Sequence, residues 1–327
     1  MTCHHRFALA VLLLLGPVAA LTVTAVEPAP QSADRPVRTL IIAHRGASGY
    51  LPEHTLEAYA YAYAAGADYL EPDVVLAADG TLICSHDLTL EKTTDVADVF
   101  PGRARADGKW YAIDFTVAEL KQLHRRGPGD AAPRGMQIAT LDELFDLIGQ
   151  LNAQTGRRVG VIPEPKSPSF HREAGRPIEP VLLDALRRHG YTEPNDPAII
   201  QCFDLDALRR IHDDLDSRLR LVYLIGRDPL PSDRISAVAA FCHGLGPNKE
   251  FFETHPDMID AARRSGLALY PYTFKRDVES HRRFIHEHRV RGIFTDFPDL
   301  ARAVADTPPG GTGAPVRRDD DPHHNHP

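Results

Sequence analysis

Residues 39–46 read Thr-Leu-Ile-Ile-Ala-His-Arg-Gly, so a short apolar run ends directly in His44 and Arg45. A run of aliphatic and β-branched residues of this length predicts a buried strand. Seven further runs of the same kind follow along the chain. The eight strand candidates are Thr39–Ala43, Tyr69–Asp73, Val159–Pro163, Ala198–Cys202, Arg220–Leu224, Phe241–Leu245, Ala268–Tyr272 and Gly292–Thr295.

Helical patterns lie between most of these strands. They cover Thr55–Ala65, Leu141–Asn152, Val181–His189, Leu205–Asp214, Pro256–Ser265 and Val278–His288. Alternation of strand and helix indicates an α/β protein with a parallel sheet, and eight such units over about 265 residues match a closed (β/α)8 TIM barrel in size. An open, doubly wound sheet is the alternative. Such a sheet usually carries a glycine-rich phosphate loop after its first strand, and this sequence has none there.

A ninth strand-like run, Thr81–Ser85, follows the second strand after the short link Ala77–Gly80. Asp-Gly after an apolar run is a hairpin signal, and so short a link cannot form a parallel crossover. We therefore expect Thr81–Ser85 to run antiparallel to the continuation of the second strand. The hairpin would bring His86 back beside Glu71 and Asp73.

The domain organisation follows from shifts in composition. Residues 38–305 would form the barrel, and residues 88–135 are too long for an ordinary barrel loop, so they predict a small inserted subdomain on the face where the strands end. Residues 26–37 are rich in Pro, Ala and Gln and predict a linker. Residues 306–327 are polar and predict a disordered tail.

The N-terminal residues predict export. Phe7–Val26 is apolar, and Ala25 offers a small residue at a cleavage position, with Val18-Ala19-Ala20 as a second candidate. We expect residues 1–25 to be a signal peptide. A membrane anchor is the alternative, because about 20 apolar residues can span a bilayer, although Pro17 interrupts the run. With the signal removed, the protein would be periplasmic or secreted, with no stable membrane insertion.

Composition argues against two classes of protein. The formal net charge is −8 and no basic stripe is interleaved with aromatics, so nucleic-acid binding is not expected. After removal of the signal peptide, the remaining cysteines would be Cys84, Cys202 and Cys242. They are odd in number and lie in apolar, strand-like contexts, which predicts buried free thiols and not a disulfide scaffold.

The predicted strand ends collect residues that could cleave a phosphate ester. His44 and His86 can move protons near neutral pH, and Arg45 can bind phosphate oxygens. Because active sites of such barrels gather at the carboxyl ends of the strands, these side chains should lie close together.

Three carboxylates are candidates for a metal site. Glu71 and Asp73 should project to the same side of one strand, and Glu164 lies with Lys166 at the end of the next barrel strand. Together the three could supply oxygen ligands to Ca²⁺ or Mg²⁺. The alternative is that they are solvated or salt-bridged charges at the strand ends.

Three other residues have weaker signals. Glu53 could reach the ion or a substrate hydroxyl, although the neighbouring Thr55 could simply cap the helix that starts there. Phe203 and Tyr272 fall at two further strand ends. Either ring could wall the pocket or belong to the core.

The run from His44 to Asp87 resembles the signature of the glycerophosphodiester phosphodiesterases, which is His-Arg-Gly, Pro-Glu-(His/Asn)-Thr, Glu-x-Asp, Asp-Gly and His-Asp. The similarity continues at residues 163–166, 201–204 and 295–298, and covers roughly residues 39–302. Thr-Asp-Val at 94–96 and Tyr-Ala-Ile-Asp-Phe at 111–115 resemble the periplasmic branch of that family.

The resemblance implies a phospholipase-C-like barrel that hydrolyses deacylated phospholipids to sn-glycerol 3-phosphate and an alcohol. By position, His44 and His86 would be the acid–base pair. Glu71, Asp73 and Glu164 would hold one divalent cation, with Ca²⁺ favoured and Mg²⁺ possible. Arg45 and Lys166 would offset the charge that builds on the phosphoryl group, and Glu53, Phe203 and Tyr272 remain substrate-contact candidates.

Two departures and two alternatives accompany this interpretation. Pro72 and Pro165 stand where the family usually has aliphatic or polar residues, and each removes a backbone donor. A phospholipase on the same barrel would need an exposed apolar rim. A periplasmic glycerol-phosphate binding protein would need the anion grip but not two titrating histidines. The sequence does not indicate the oligomeric state.

Overall fold

The computed structural model describes residues 38–128, 135–226 and 228–308. The predicted signal peptide and linker, and nearly all of the predicted tail, lie outside the described residues. The strands within the described residues are β1 (Leu40–His44), β2 (Tyr69–Glu71), β3 (Asp73–Leu76), β4 (Leu82–Cys84), β5 (Gly160–Val161), β6 (Glu164–Pro165), β7 (Ile199–Cys202), β8 (Arg220–Ile225), β9 (Gly244–Pro247), β10 (Ala268–Leu269) and β11 (Gly292–Thr295).

Eight of these strands close into a parallel barrel. The pairing order β11–β1–β2–β5 forms one half and β7–β8–β9–β10 the other, and every pair in both halves is parallel. A parallel bridge from Val161 to Ala198 joins the halves on one side. On the other side, Arg291 N donates to Leu269 O at 2.9 Å. The predicted TIM barrel is therefore confirmed, and the open sheet is excluded.

The described residues also form helices, most of which cover the outside of the barrel. They are α1 (Leu56–Ala64), α2 (Val96–Val99), α3 (Val117–Leu120), α4 (Leu141–Thr155), α5 (Pro168–Glu173), α6 (Ile178–Arg188), α7 (Leu205–Arg209), α8 (Ser232–Ala239), α9 (Phe251–Thr254), α10 (Pro256–Arg264), α11 (Val278–Arg282) and α12 (Pro298–Asp306). Helices α2 and α3 belong to the segment that follows β4. Helices α7 and α11 continue into π-helical segments. The main apolar core lies between this helical layer and the strands.

Local sequence signals set the start of two of these helices. Thr55 caps α1 by accepting from the Ala58 N–H, as the sequence suggested. Thr140 and Glu143 form a capping box at the start of α4, in which each side chain bonds the backbone N–H of the other. Gly156 ends α4 with a φ of 70°, a left-handed conformation that glycine adopts without strain.

The predicted hairpin is present. Strand β3 pairs antiparallel with β4, with Val74 opposite Cys84 and Leu76 opposite Leu82. The predicted second strand is in fact two strands, because Pro72 separates β2 from β3. The predicted third strand is likewise divided into β5 and β6. Pro163 lies between them and has no backbone N–H to donate to a neighbouring strand.

Pro165 falls where its missing N–H does not break the contact with β3. Glu164 N donates to Pro72 O at 2.9 Å and Lys166 N donates to Val74 O at 3.0 Å, so alternate residues serve this ladder and Pro165 faces the other side. The position of Glu164 opposite Asp73 is therefore preserved.

Several predicted boundaries are wrong by about one turn, and two of them have a clear cause. The sixth barrel strand spans Gly244–Pro247 instead of starting at Phe241, because Cys242 still donates to Val238 O in the turn that ends α8. Helix α6 begins at Ile178, ahead of the predicted Val181, because Ile178 is fully buried in the main core. The described cysteines Cys84, Cys202 and Cys242 are buried free thiols, as predicted.

The segment that follows the hairpin packs a small core of its own. Side chains from β3, β4 and the described part of residues 88–138 form a separate apolar cluster, in which the fully buried members include Val75, Leu90, Val96, Phe115 and Leu123. This cluster holds the segment against the hairpin that carries His86.

Alternation along the strands separates the barrel interior into an apolar floor and a polar mouth. Residues two apart on a strand share a face, and at five places an inward apolar residue is followed two positions later by a polar one. The pairs are Ile42 and His44, Tyr69 and Glu71, Ile162 and Glu164, Ile199 and Gln201, and Phe294 and Asp296. The polar members all lie at the carboxyl ends of the strands.

Candidate active site

A cleft with a cavity volume of about 120 Å³ opens at the carboxyl ends of the barrel strands. Of the ten residues that the sequence singled out, nine line this cleft and Glu53 does not. The lining side chains are His44, Arg45, Glu71, Asp73, His86, Glu164, Lys166, Gln201, Phe203, Leu224, Tyr272, Thr273 and Phe294.

Three carboxylates meet at the centre of the cleft. One oxygen from each of Glu71, Asp73 and Glu164 lies within 4.8 Å of the others, and all three residues are buried. Burial, together with the negative charge of its two neighbours, raises the pKa of Glu71 well above its usual range. Burial is also the main reason that the pKa of Glu164 rises to about 8. Carboxylates that repel each other in a buried site fit a divalent cation, which would relieve that repulsion.

Asp73 differs from its two neighbours because it is surrounded by cations and donors. Burial alone would raise its pKa, but Lys166, His54 and Arg45 hold the pKa well below the usual range of an aspartate. Lys166 Nζ lies 3.5 Å from Asp73 Oδ1 and 2.6 Å from Glu164 Oε1. The cluster therefore carries at least one permanent negative charge.

Arg45 organises this cluster through both its backbone and its side chain. Its N–H donates to Glu71 Oε2 at 2.7 Å, and its Nε lies 3.2 Å from Asp73 Oδ2. Its Nη1 donates to Glu53 Oε2 at 2.8 Å, so one oxygen of Glu53 is bound by this arginine. Arg45 has a φ of 58°, an uncommon conformation that the turn after β1 imposes.

His54 is a supporting residue that the sequence analysis missed. It is fully buried, with Nε2 3.0 Å from Asp73 Oδ2 and Nδ1 2.8 Å from the hydroxyl of Tyr59. Burial lowers its pKa to about 4, so the ring is neutral at pH 7. A carboxylate can only accept, so Nε2 carries the proton and the Tyr59 hydroxyl donates to Nδ1. Its place in the Pro-Glu-His-Thr motif is the signal that could have identified it.

Glu71 accepts a second hydrogen bond besides the one from the Arg45 backbone. Gln201 Nε2 donates to Glu71 Oε1 at 3.0 Å. Such second contacts fix the orientation of carboxylates that bind metals.

His44 is paired with a residue from the last barrel strand. Its Nδ1 lies 2.7 Å from Asp296 Oδ1, and the other oxygen of Asp296 pairs with Lys275. Burial, and then the charge of Arg45, lowers the pKa of His44, so the neutral ring is favoured at pH 7. Because Nδ1 donates to Asp296, Nε2 is the basic nitrogen. The sequence analysis missed Asp296, although it directly follows a predicted strand.

His86 is held by its own neighbour in sequence. Its Nδ1 lies 2.7 Å from Asp87 Oδ1, and Lys92 pairs with the second oxygen of Asp87 at 3.5 Å. The side chain of His86 is 37% exposed, whereas that of His44 is 16% exposed. Of the two imidazoles, His86 is therefore the one in freer exchange with solvent.

Aromatic side chains form the outer wall of the cleft. The rings of Phe203 and Tyr272 meet edge to face with centroids 5.7 Å apart, and Phe203 is 40% exposed. Lys166 Nζ lies 5.6 Å from the centre of the Phe203 ring. Both candidate aromatics thus contribute to the pocket wall.

A closed (β/α)8 barrel with buried acids and two imidazoles in a cleft at the carboxyl ends of its strands has the features of a TIM-barrel enzyme. The sequence profile of the glycerophosphoryl diester phosphodiesterase family matches residues 44–300. A glycerophosphodiester phosphodiesterase of Treponema pallidum is 40% identical over 320 residues, covering 80% of this chain and 90% of that protein. One from Haemophilus influenzae is 33% identical over 321 residues, covering 80% of this chain and 88% of that protein.

Solved structures of phosphodiesterases have the same fold. The crystal structure of a glycerophosphodiester phosphodiesterase from Agrobacterium tumefaciens superposes with a TM-score of 0.61 at 25% identity, covering 81% of this chain and 99% of that one. An Oleispira antarctica phosphodiesterase, solved in complex with the product sn-glycerol-3-phosphate, gives a TM-score of 0.66 at 24% identity and covers 83% and 98%. The chain belongs to the glycerophosphodiester phosphodiesterase family of enzymes.

Proposed function

We propose that this enzyme hydrolyses deacylated phospholipids to sn-glycerol 3-phosphate and an alcohol, using one divalent cation held by Glu71, Asp73 and Glu164. The observation that carries the proposal is the meeting of three buried carboxylates within 4.8 Å in the cleft that also holds both imidazoles. The product found in the Oleispira antarctica relative supports the same substrate class. Ca²⁺ is favoured because the site offers carboxylate oxygens only, whereas Mg²⁺ usually binds one or two carboxylates and several waters.

Two cationic side chains are placed to bind the phosphoryl group of the substrate. Arg45 and Lys166 are cations on the cleft wall and would bind the phosphoryl oxygens of the substrate. The cation, when bound, supplies further positive charge against the negative charge that builds during attack. Both arginine and lysine are fixed by carboxylates before the substrate arrives, so little reorganisation is needed.

We assign the base to His44 and the acid to His86. His44 is the ring with the lowered pKa, and Asp296 fixes its tautomer so that Nε2 accepts the proton of the attacking oxygen. His86, held by Asp87, would give a proton to the departing alkoxide and regain one from solvent. The attacking oxygen is either that of water or the neighbouring hydroxyl of the glycerol, through a cyclic phosphate.

A phospholipase that acts on intact lipids is disfavoured. Such an enzyme needs an exposed apolar rim, but in the described residues the exposed large apolar side chains are Tyr61, Val99 and Phe203. No helix in the described part of the chain is long and apolar enough to cross a bilayer. The small number of exposed large apolar side chains makes the deacylated headgroup the better substrate for this cleft.

One experiment tests substrate and cation together. Turnover of glycerophosphocholine should exceed that of intact phosphatidylcholine, should stop when a chelator is added, and should return with Ca²⁺. Glu71→Gln and Asp73→Asn should each weaken Ca²⁺ binding and lower activity together. If both variants bind Ca²⁺ as tightly as the wild type, the assignment of ligands is wrong.

We also propose export, which rests on the sequence of residues 1–25 alone. A periplasmic or secreted location would place the enzyme where Ca²⁺ and released headgroups are both available.

A further inference from the structure

Lys275 is a cation near the mouth of the barrel for which the reaction outlined above gives no role. It lies on the loop that follows β10, and its side chain is 66% exposed. Its Nζ binds Asp296 Oδ2, and the other oxygen of Asp296 lies 2.7 Å from His44 Nδ1. Lys275, Asp296 and His44 thus form a continuous chain of polar contacts that ends at the proposed base.

Backbone hydrogen bonds fix the position of Lys275 relative to Asp296. Phe274 N donates to Phe294 O at 2.8 Å, and Asp296 N donates to Phe274 O at 3.1 Å. These bonds place Phe274 opposite Thr295 in a parallel bridge, and the next residue in that register sets Lys275 beside Asp296. The Phe274 side chain is fully buried. The lysine is therefore anchored through its backbone even though its side chain is exposed.

The carboxylate of Asp296 needs both of its partners to keep one orientation. It is 9% exposed, and within the described residues its two oxygens are bound by His44 and Lys275 alone. The terminal torsion of an aspartate has a broad energy minimum, so a carboxylate held at one oxygen can turn. A turned carboxylate would no longer accept from Nδ1 of His44, and the ring would lose its fixed tautomer.

We propose that Lys275 is a positioning residue for the base: it binds Oδ2 of Asp296, so that Oδ1 stays directed at Nδ1 of His44. Lys275 lies outside the set of described side chains that line the cleft, so it acts through Asp296 and not on the substrate. The loop after β10 then serves the reaction twice, because its Tyr272 also forms part of the cleft wall. This inference rests on the proposed role of His44 as the base.

The test is the kinetics of Lys275→Met, which keeps most of the length of the side chain but removes its charge. The kcat for glycerophosphocholine should fall about tenfold, which is within the range by which members of one hydrogen-bond network affect each other. KM and the affinity for Ca²⁺ should stay within about twofold, because the contact serves the transition state and not substrate binding. Lys275→Arg keeps a charged donor and should restore most of kcat.

Two controls and one spectroscopic measurement separate positioning from a general loss of charge or of stability. Arg276→Met removes the neighbouring cation of the same loop, which lies 5.9 Å from the centre of the Tyr50 ring, and should leave kcat unchanged. In an Asp296→Asn background, Lys275→Met should lower kcat by less than about twofold, because the charged partner of Lys275 is already gone. Nitrogen-15 NMR of the His44 ring should show one tautomer in the wild type and in Arg276→Met, and a mixture in Lys275→Met. A role in stability alone would lower the melting temperature in both backgrounds without changing the tautomer.

The outcomes also separate this inference from the proposed role of His44. If His44→Ala is inactive and Lys275→Met keeps the wild-type kcat, the positioning role is wrong and the base assignment stands. If Lys275→Met raises KM and leaves kcat unchanged, the lysine binds the substrate itself, which also overturns the positioning role. If His44→Ala keeps near wild-type turnover, the base assignment fails, and the positioning role fails with it.

Discussion

His44 and Asp296 come from the first and the last strand of the barrel and meet at 2.7 Å. The ionisation of Asp296 and the tautomer of His44 depend on this contact, which exists only in the folded barrel. Asp296 itself is held charged: burial would raise its pKa, but His44 and Lys275 lower the pKa to about 2. A permanently ionised carboxylate at Nδ1 selects the tautomer in which Nε2 can act as a base.

Replacing Asp296 by asparagine should therefore be severe. An amide can present either face to the ring, so the wrong tautomer becomes available, and kcat should fall by about 10²- to 10⁴-fold. Asp296 raises the pKa of His44, so its removal should also move the acid limb of the kcat/KM profile to lower pH. Steady-state kinetics across pH check both effects. Asp299→Asn is the matched control, because Asp299 binds the Tyr50 hydroxyl, and its kcat should stay near the wild-type value.

Glu164 gives a second prediction, about pH and the cation. Its pKa is about 8 in the folded, metal-free site and about 4.5 in an unfolded chain, so the folded state holds the proton more tightly. The stability from that proton is complete below pH 4.5 and is lost as pH rises to about 8. The metal-free protein should melt at a lower temperature at pH 8 than at pH 5, by on the order of 10 °C, because this pKa difference corresponds to about 3.5 kcal/mol over that range and a domain of this size changes by about 2–4 °C per kcal/mol.

Differential scanning calorimetry in chelator measures this loss, and added Ca²⁺ should reverse it at pH 8 by binding only the folded state. Glu164→Gln removes the titrating group, and its metal-free melting temperature should depend less on pH. An equal fall in Glu164→Gln and in the wild type would place the titration elsewhere.

At the scale of elements, short apolar runs that alternate with helical patterns predicted most of the barrel and the position of its mouth. The β3–β4 hairpin followed from one Asp-Gly turn, and it placed His86 beside the acidic cluster as expected. The strand breaks at Pro72 and before Glu164 could not be located from propensity, because they depend on which N–H groups a neighbouring strand uses. The pairing of His44 with Asp296 has no local signal either, since it is created only when the barrel closes.

The apolar floor of the barrel is an element-level feature that depends on small residues. Gly244 on β9 gives space to the ring of Tyr270, and a Cβ built there would lie 2.7 Å from Tyr270 Cε2 and 2.9 Å from Ala268 O. The inward aromatic rings of the floor thus occupy the space left where a strand carries glycine instead of a larger residue.

Gly244→Ala should destabilise the fold by about 1–3 kcal/mol through overpacking, without changing kcat of the folded enzyme. Gly149→Ala is the opposite case, because Gly149 lies in the middle of α4 with open space around its missing Cβ. It should stabilise by about 0.5–1 kcal/mol through helix propensity. Urea unfolding of both variants provides the comparison, and equal midpoints would contradict the packing argument.

At the scale of the whole molecule, the chain joins a predicted export segment to an enzyme with its own complete site. Mass spectrometry of the secreted chain should find a mature N-terminus near residue 26, because the apolar run ends in a small residue at Ala25. A membrane-bound mature form that still contains Met1–Leu21 would refute export by cleavage. Replacing Ala25 with a bulky residue should shift or slow the cleavage.

The closure of the barrel also sets the order in which the enzyme can become active. Strand β1 pairs with β11, and His44 receives Asp296 and, through it, Lys275 from the last part of the fold to be synthesised. A chain that stops before β11 has both imidazoles and all three acids of the cluster but lacks the partner that orients its base. A nascent or truncated chain that ends before residue 296 should therefore have little activity, so full activity reports that translation has passed the last barrel strand.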